Sequence, residues 1–155
     1  MKKIAAGLAV LLVLCGCQGN WEAQKAVKEI LYNPDGAKFS DMHQGAAPGS
    51  VCGLVNAKNR LGAYVGKERF FYDGYVAGIA SPVSDKDFHR LWLSLGRSFF
   101  NEDYKTTSAK CKLVAKWESV CGGTYPDQQP LCRIFEMDEP RDFIKALDEK
   151  FGTRY

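Results

Sequence analysis

The sequence has few histidines and none of the common catalytic motifs. Its two histidines, His43 and His89, show no metal-binding spacing, and no G-x-S-x-G, H-E-x-x-H, P-loop or dinucleotide fingerprint is present. Internal repeats, low-complexity tracts and apolar runs long enough to span a membrane are also absent. These absences argue against a multidomain enzyme, a polytopic membrane protein and a coiled coil. They predict no catalytic residues and no metal ligands.

The chain also carries little net charge. The formal charge of +3 over 155 residues comes mostly from Lys2 and Lys3, so a basic nucleic-acid-binding surface is not predicted. The 3 Trp, 7 Tyr and 9 Phe supply enough large apolar side chains for a folded core. The length suits a single domain, which we assign to residues 21–155.

The N-terminus has the pattern of an export signal. Met1-Lys2-Lys3 is a short positive segment, and the apolar run from Ile4 to Leu14 is too short to cross a hydrocarbon core of about 30 Å. We predict a signal peptide over residues 1–16.

The end of this leader, Leu14-Cys15-Gly16-Cys17, resembles the lipobox of bacterial lipoproteins. The resemblance implies cleavage before Cys17 and a covalent diacylglycerol and acyl lipid, such as palmitate, on that residue. No other cofactor is predicted. Gln18 stands where an Asp would signal inner-membrane retention, so the resemblance implies the periplasmic face of the outer membrane. Residues 17–20 would then form the lipidated cysteine and a short tether.

Four cysteines remain in the exported part, namely Cys52, Cys111, Cys121 and Cys132. An oxidising compartment favours two disulfides, whereas zinc and redox sites would call for C-x₂-C pairs that are missing. Residues 108–121 have a helical pattern that would place Cys111 about 15 Å from Cys121, too far for a disulfide. Two connectivities stay open: Cys52–Cys121 with Cys111–Cys132, or Cys52–Cys111 with Cys121–Cys132.

The first half of the chain predicts a helix followed by a small antiparallel meander. Asn20 can cap a helix that begins at Trp21 and ends at Asn33-Pro34, with an apolar stripe of Ala23, Val27, Ile30 and Leu31. Residues 37–39 look extended and residues 43–50 look like a loop. Strands are predicted near 51–57, 65–72 and 75–80, the last two joined by Asp73-Gly74 in a type I′ turn. Trp21 suits either helix packing or a membrane interface.

The second half predicts mainly helices. Ser84 and Asp87 resemble a capping box, opening a helix whose apolar positions are Phe88, Leu91, Trp92, Leu95 and Phe99. Another helix starts at Thr107 or Ser108 and ends at Gly122. A short strand follows at 131–137, and a last helix runs from Asp138-Glu139-Pro140 to Gly152 with Ile144, Leu147 and Phe151 aligned. The fold class is therefore α+β, with an N-terminal helix, a small antiparallel sheet and helices packed on one face.

Three stretches together resemble a family of small proteobacterial and prophage-borne exported proteins of unknown function. They are Asn33-Pro34-Asp35-Gly36-Ala37-Lys38-Phe39, Val51-Cys52-Gly53-Leu54-Val55-Asn56-Ala57-Lys58-Asn59 and Gly62-Ala63-Tyr64-Val65-Gly66. The likeness covers residues 30–72, with Ala63 and Lys67 departing from the family pattern. Trp117 and Cys121 match the W-x-x-x-C helix end of family members, which favours Cys52–Cys121. The family carries no assigned activity.

The segment from Asn56 to Tyr72 interleaves basic and aromatic side chains. A hairpin with one buried and one charged face accounts for this alternation. The segment also holds many hydrogen-bonding side chains, so we take its first part as the candidate binding loop: Asn56, Lys58, Asn59, Arg60 and Tyr64.

Three functional hypotheses follow, one of which is a purely structural accessory of a larger envelope assembly. The first is a non-enzymatic lipoprotein, anchored to the membrane and binding an envelope protein, peptidoglycan or another glycan. The alternative is an envelope hydrolase acting on glycan or peptide, which requires a carboxylate within hydrogen-bond reach of His43 or His89. The carboxylate pairs Asp85/Asp87 and Glu102/Asp103 lie at predicted helix ends, where the helix dipole accounts for them.

Overall fold

The computed structural model describes residues 11–126, 130–137 and 140–152, and within them it shows the predicted α+β fold. The described helices are α1 (Leu11–Glu29), α2 (Asp85–Ser94), α3 (Phe100–Cys121) and α4 (Pro140–Phe151), with a 3₁₀ helix at Pro130–Met137. The described strands are β1 (Lys38–Gln44), β2 (Val51–Lys58), β3 (Tyr64–Tyr72) and β4 (Ala77–Ala80). Residues 1–10 of the predicted leader lie outside the described residues, as do Asp138 and Glu139.

The chain divides into two compact units. The first holds the residues up to Ile79 together with Ser119–Gly122, and the second holds Ala80–Glu118 and the residues from Gly123 onward. The single domain assigned to residues 21–155 stays a prediction.

The sheet of the first unit is an antiparallel meander in the order β1-β2-β3-β4, as predicted. In β2 and β3, Val51 lies opposite Tyr72 and Lys58 lies opposite Tyr64. The strand β1 was predicted only at residues 37–39, and it reaches into the expected loop to include His43. A register shift between Ser40 and His43, where Asp41 has a φ of 53°, interrupts the alternation that would have revealed this strand.

The turn after β3 differs from the predicted type I′. A type I′ turn needs positive φ at both central residues. Gly74 has a φ of 97°, but among the described non-glycine residues only Asp41 has a positive φ. The connection spans residues 73–76 instead, because the Asp73 side chain organises it. Asp73 Oδ1 accepts hydrogen bonds from the backbone N–H groups of Tyr75 (3.1 Å) and Val76 (2.9 Å).

Helix α1 packs on the sheet through two residues of the predicted stripe. Ala23 and Val27 are fully buried in one core with Val51, Val55 and Phe70. The predicted helix limits were wrong at both ends. Asn20 does not cap α1, because the helix already includes it. At the other end α1 stops at Glu29, and a tighter turn follows in which the N–H groups of Ile30 and Leu31 bond to carbonyls three residues back. Ile30 therefore leaves the apolar stripe and is 51% exposed.

The start of α2 is the predicted capping box. The Ser84 backbone N–H donates to Asp87 Oδ2 (2.8 Å), and Lys110 Nζ donates to Asp87 Oδ1 (2.6 Å). Partial burial raises the pKa of Asp87, but the hydrogen bonds from Lys110 and Ser84 and the Lys110 charge outweigh this and hold the pKa below its ordinary value. The helix is shorter than predicted, since it ends at Ser94 and leaves Phe99 outside and half exposed.

Glycines end two of the other helices as predicted, but the start of α3 and the predicted strand at residues 131–137 differ from expectation. Gly122 (φ 75°) follows α3 and Gly152 (φ 98°) follows α4, as predicted. Helix α3, however, begins at Phe100, well before Thr107. The strand predicted at residues 131–137 is wrong, because this segment is a 3₁₀ helix. A short apolar run does not by itself distinguish a strand from a helix. Here Leu131 is buried next to Cys132, which is bonded to Cys111.

Within α4 the buried face is partly as predicted. Leu147 is fully buried, whereas Ile144 is 38% exposed and Phe143 takes the core position beside it. Helices α2 and α4 are joined by a hydrogen bond from Trp92 Nε1 to Asp148 Oδ1 (3.0 Å).

Two disulfides are present, and they have the pairing favoured by the family resemblance. Cys52–Cys121 joins Cα atoms 5.9 Å apart in the first unit, and Cys111–Cys132 joins Cα atoms 5.2 Å apart in the second. Around the first bridge the chains touch closely. Ala46 N–H donates to the Val120 carbonyl (2.8 Å), and a Cβ on Gly45 would collide with that oxygen and with Ser50 Oγ.

Removing the disulfides one at a time should lower the free energy of unfolding by unequal amounts. The sequence separations of the linked cysteines are 69 and 21. The restriction of the unfolded chain then predicts a loss of about 4 kcal/mol for Cys52→Ala with Cys121→Ala, and about 3 kcal/mol for Cys111→Ala with Cys132→Ala. Urea unfolding of the oxidised proteins measures both losses, and a reversed order would contradict the prediction.

Candidate functional site

The structure brings the five predicted binding residues together on the β2–β3 hairpin. We call residues 56–66, which close this hairpin, the hairpin tip. Asn56 and Lys58 end β2, Asn59 and Arg60 lie in the turn, and Tyr64 begins β3.

The two asparagines of the hairpin tip have a structural role. Asn59 Oδ1 accepts hydrogen bonds from the backbone N–H groups of Leu61 (3.0 Å) and Ala63 (3.1 Å). Asn56 Oδ1 accepts one from the Gly66 N–H (3.2 Å), beside the register shift between Asn56 and Lys58. We predicted that these side chains exceed the needs of a turn, but both amide oxygens are used by the local backbone. Asn59 holds the turn itself, and Asn56 supplies an acceptor beside the register shift.

The basic residues of the hairpin tip contact aromatic rings. Lys58 Nζ lies 5.3 Å from the centre of the Tyr64 ring, and Lys38 Nζ lies 4.6 Å from the same centre. The Arg60 guanidinium lies 5.3 Å from the ring centre of Tyr32. Each distance is within the range of a cation–π contact, which orients these long side chains.

Sequence reasoning missed Lys38 and Tyr32. Lys38 reaches the site because it lies opposite Asn56 in the β1–β2 pairing. Tyr32 reaches it from the segment that follows α1. To find Lys38 one must know the register of β1 on β2, and to find Tyr32 one must know where α1 ends. No local sequence pattern gives either.

Apolar side chains are exposed on the same tip. Leu61 is 92% exposed and Val65 is 55% exposed, while Tyr64 and Tyr32 keep much of their surface in solvent. The hairpin tip therefore presents basic, aromatic and aliphatic groups together. This combination suits a ligand with both negative charge and an apolar face.

His43 lies toward the other end of β1 from Lys38, and His89 belongs to the second unit. His43 is exposed on β1, with Nδ1 2.8 Å from the Asp41 carbonyl oxygen. His89 is exposed on α2, stacked against Trp92 and touching Phe151 edge-on. Among the described residues neither histidine forms an ion pair.

His89 lines an open groove of about 500 Å³ in the second unit, with the residues Asp85, Lys86, Arg90, Leu93 and Phe151. Asp85 is one helical turn from His89, but its Oδ1 is 2.6 Å from Lys150 Nζ. Asp85 and Asp87 lie in the first turn of α2, as the sequence predicted. Glu102 and Asp103 lie in the first turn of α3, because this helix begins earlier than the predicted Thr107 or Ser108.

The described residues contain neither a membrane-spanning helix nor a metal cluster. No helix within them is long and apolar enough to cross a membrane. No cluster of three or more His, Cys, Asp or Glu side chains in the same part of the chain could hold a metal ion.

Comparison with known proteins gives no relatives: no protein-family model, no curated protein and no solved structure matches the chain. The lipobox and the family resemblance of residues 30–72 stay predictions.

Replacing Asn59 should destabilise the hairpin tip without touching its charged groups. Asn59→Ala removes an acceptor of two backbone hydrogen bonds and should lower the free energy of unfolding by about 1 kcal/mol. Asn59→Asp keeps an acceptor oxygen and should stay near the wild type. Lys58→Ala is the matched surface control, with a change within about 0.5 kcal/mol. Urea unfolding gives all three values, and equal effects of Asn59→Ala and Lys58→Ala would contradict the structural role.

Proposed function

We propose that this chain is a membrane-anchored envelope lipoprotein that acts as a non-enzymatic binding module. Its support begins with the N-terminal pattern, in which a positive segment and an apolar run precede Gly16-Cys17. The two disulfides add to it, because structural disulfides persist mainly in oxidising compartments outside the cytosol. The lipid on Cys17 would hold the protein at the periplasmic face of the outer membrane.

The observation that carries the binding role is the surface of the hairpin tip. Lys38 and Lys58 both contact the Tyr64 ring, and Leu61 in the same tip is almost fully exposed. Exposed groups of these types, carried on a hydrogen-bonded hairpin, are typical of recognition surfaces. An acidic envelope protein or an anionic glycan such as peptidoglycan has the matching chemistry.

The position of the hairpin tip in the sheet also supports this role. A Cβ on Gly19, near the start of the exported chain, would lie 3.8 Å from Val51 at the first residue of β2. The tip is at the other end of β2, whose eight residues span about 25 Å. A tip at this distance from the anchored end reaches beyond the headgroups toward a second envelope component.

Lipidation can be tested with a matched pair of cysteine variants. Cys17→Ser should abolish incorporation of labelled palmitate and release the protein from membranes, because it removes the acylated thiol. Cys15→Ser should keep both, since Cys15 would leave with the leader. Mass spectrometry of the mature N-terminus checks the cleavage point. Loss of label in both variants or in neither would contradict the assignment of Cys17.

Partner binding can be tested by photocrosslinking in cells that carry the lipidated protein. A photoreactive residue at Leu61 should give a discrete adduct that is lost with Arg60→Glu, a change that spares the turn asparagines. Leu93, an exposed leucine of the second unit, is the control position and should give no adduct. Equal products from both positions would contradict a binding role for the hairpin tip.

A further inference from the structure

A second exposed apolar surface lies at the opposite end of the sheet from the hairpin tip. It consists of Trp21 on α1 and of Tyr75 and Val76 in the β3–β4 turn, and we call it the basal patch. Their exposed fractions are 64%, 92% and 61%. Single exposed apolar side chains are common on proteins, but large ones grouped together mark interaction sites.

Two of the three residues line one hollow. Trp21 and Tyr75 border the same space of about 290 Å³ together with Tyr72, and Val76 follows Tyr75 in the turn. The turn that presents Tyr75 and Val76 is stabilised by hydrogen bonds. Tyr72 Oη donates to the Gly74 carbonyl (2.8 Å), and Asp73 Oδ1 accepts from the backbone N–H groups of Tyr75 and Val76. These bonds define the backbone that carries both exposed side chains.

The basal patch is next to the predicted point of lipid attachment. Cys17 and Trp21 are four residues apart in α1, which is about one helical turn and about 6 Å of rise. The β3–β4 turn follows Tyr72, which pairs with Val51 at the end of the sheet beside Gly19. An acyl chain on Cys17 would thus bring this end of the sheet to the bilayer before any other part of the first unit.

We infer that the basal patch docks in the interfacial region of the membrane to which the protein is anchored, an inference that rests on the proposed lipidation of Cys17. Trp and Tyr combine an apolar ring with a polar group, and this suits them to the headgroup level of a bilayer. Docking would orient the sheet with its hairpin tip away from the lipid, because the two turns lie at opposite ends of β3.

The charges around the basal patch indicate which lipids it needs. The hollow beside Trp21 is lined by Glu22, Lys25 and Glu29, and Lys25 Nζ lies 5.8 Å from the Trp21 ring centre. This setting is not basic overall, so docking depends on the apolar interface and requires no anionic lipid. In this it differs from the hairpin tip, whose charged groups are basic.

The test uses the lipidated protein purified from membranes and reconstituted into vesicles of phosphatidylcholine with a radiolabelled phospholipid. A photoreactive residue replaces Tyr75 in one variant and Leu61 in another. These positions are matched, since both side chains are 92% exposed. The nine residues of β3 between them span roughly 30 Å. Flotation with the vesicles reports the lipid anchor independently of crosslinking.

We expect a labelled lipid adduct from position 75 and no adduct above background from position 61. The adduct at position 75 should be lost when Trp21→Ser and Val76→Ser are combined. Adding phosphatidylglycerol should leave the adduct at position 75 unchanged. Equal lipid adducts from both positions, or no lipid adduct from position 75 in protein that floats, would overturn the inference. A protein dimer crosslinked from position 75 would also overturn the inference, because the basal patch would then be an interface with a second copy of the chain. Failure to float would instead refute lipidation and the proposed function.

Discussion

The disulfide between Cys52 and Cys121 is the constraint on which the first unit depends. It fastens the end of α3 to β2 across 69 residues of sequence, and so adds Ser119–Gly122 to a unit otherwise built from the N-terminal half. The contacts around it require small residues, because Gly45 and Ala46 pass directly beside Val120. On one face of β2, Val51 and Val55 pack in the core under α1, while the buried Cys52 makes the disulfide from the neighbouring position. The strand that leads to the hairpin tip is thus held by packing and by a covalent bond at its start.

The parts of the fold that sequence reasoning predicted are those set by local chemistry. Ser84 and Asp87 form their capping box within four residues, and Gly122 and Gly152 end helices through their own backbone freedom. The meander was visible because β2 and β3 carry strongly β-prone runs. The helix limits were less predictable, since α1 stops at Glu29 although the apolar spacing continues to Leu31.

The parts that could not be predicted depend on distant partners. Residues 131–137 were expected to be extended, but the bridge from Cys132 to Cys111 anchors this segment as a 3₁₀ helix. Of the candidate site, the sequence predicted that the five residues lie on one hairpin, but not the contacts that they make. Asn59 and Asn56 shape the turn, while Lys38 and Tyr32 arrive from other elements to contact Tyr64 and Arg60. Register and tertiary packing decide these contacts, and neither is encoded in a local window.

The two disulfides overlap along the chain, since Cys111 lies inside the stretch closed by Cys52 and Cys121 while its partner Cys132 lies beyond it. This arrangement would matter for the exported lipoprotein proposed above, which would cross a membrane N-terminus first. Cys111 would emerge before Cys121, so the first thiol offered to Cys52 is the wrong one. Pairing in order of arrival gives Cys52–Cys111, which the native fold does not contain. Maturation of such an exported chain would therefore require either a delay in oxidation until α3 has formed or the exchange of an early bridge by a disulfide isomerase.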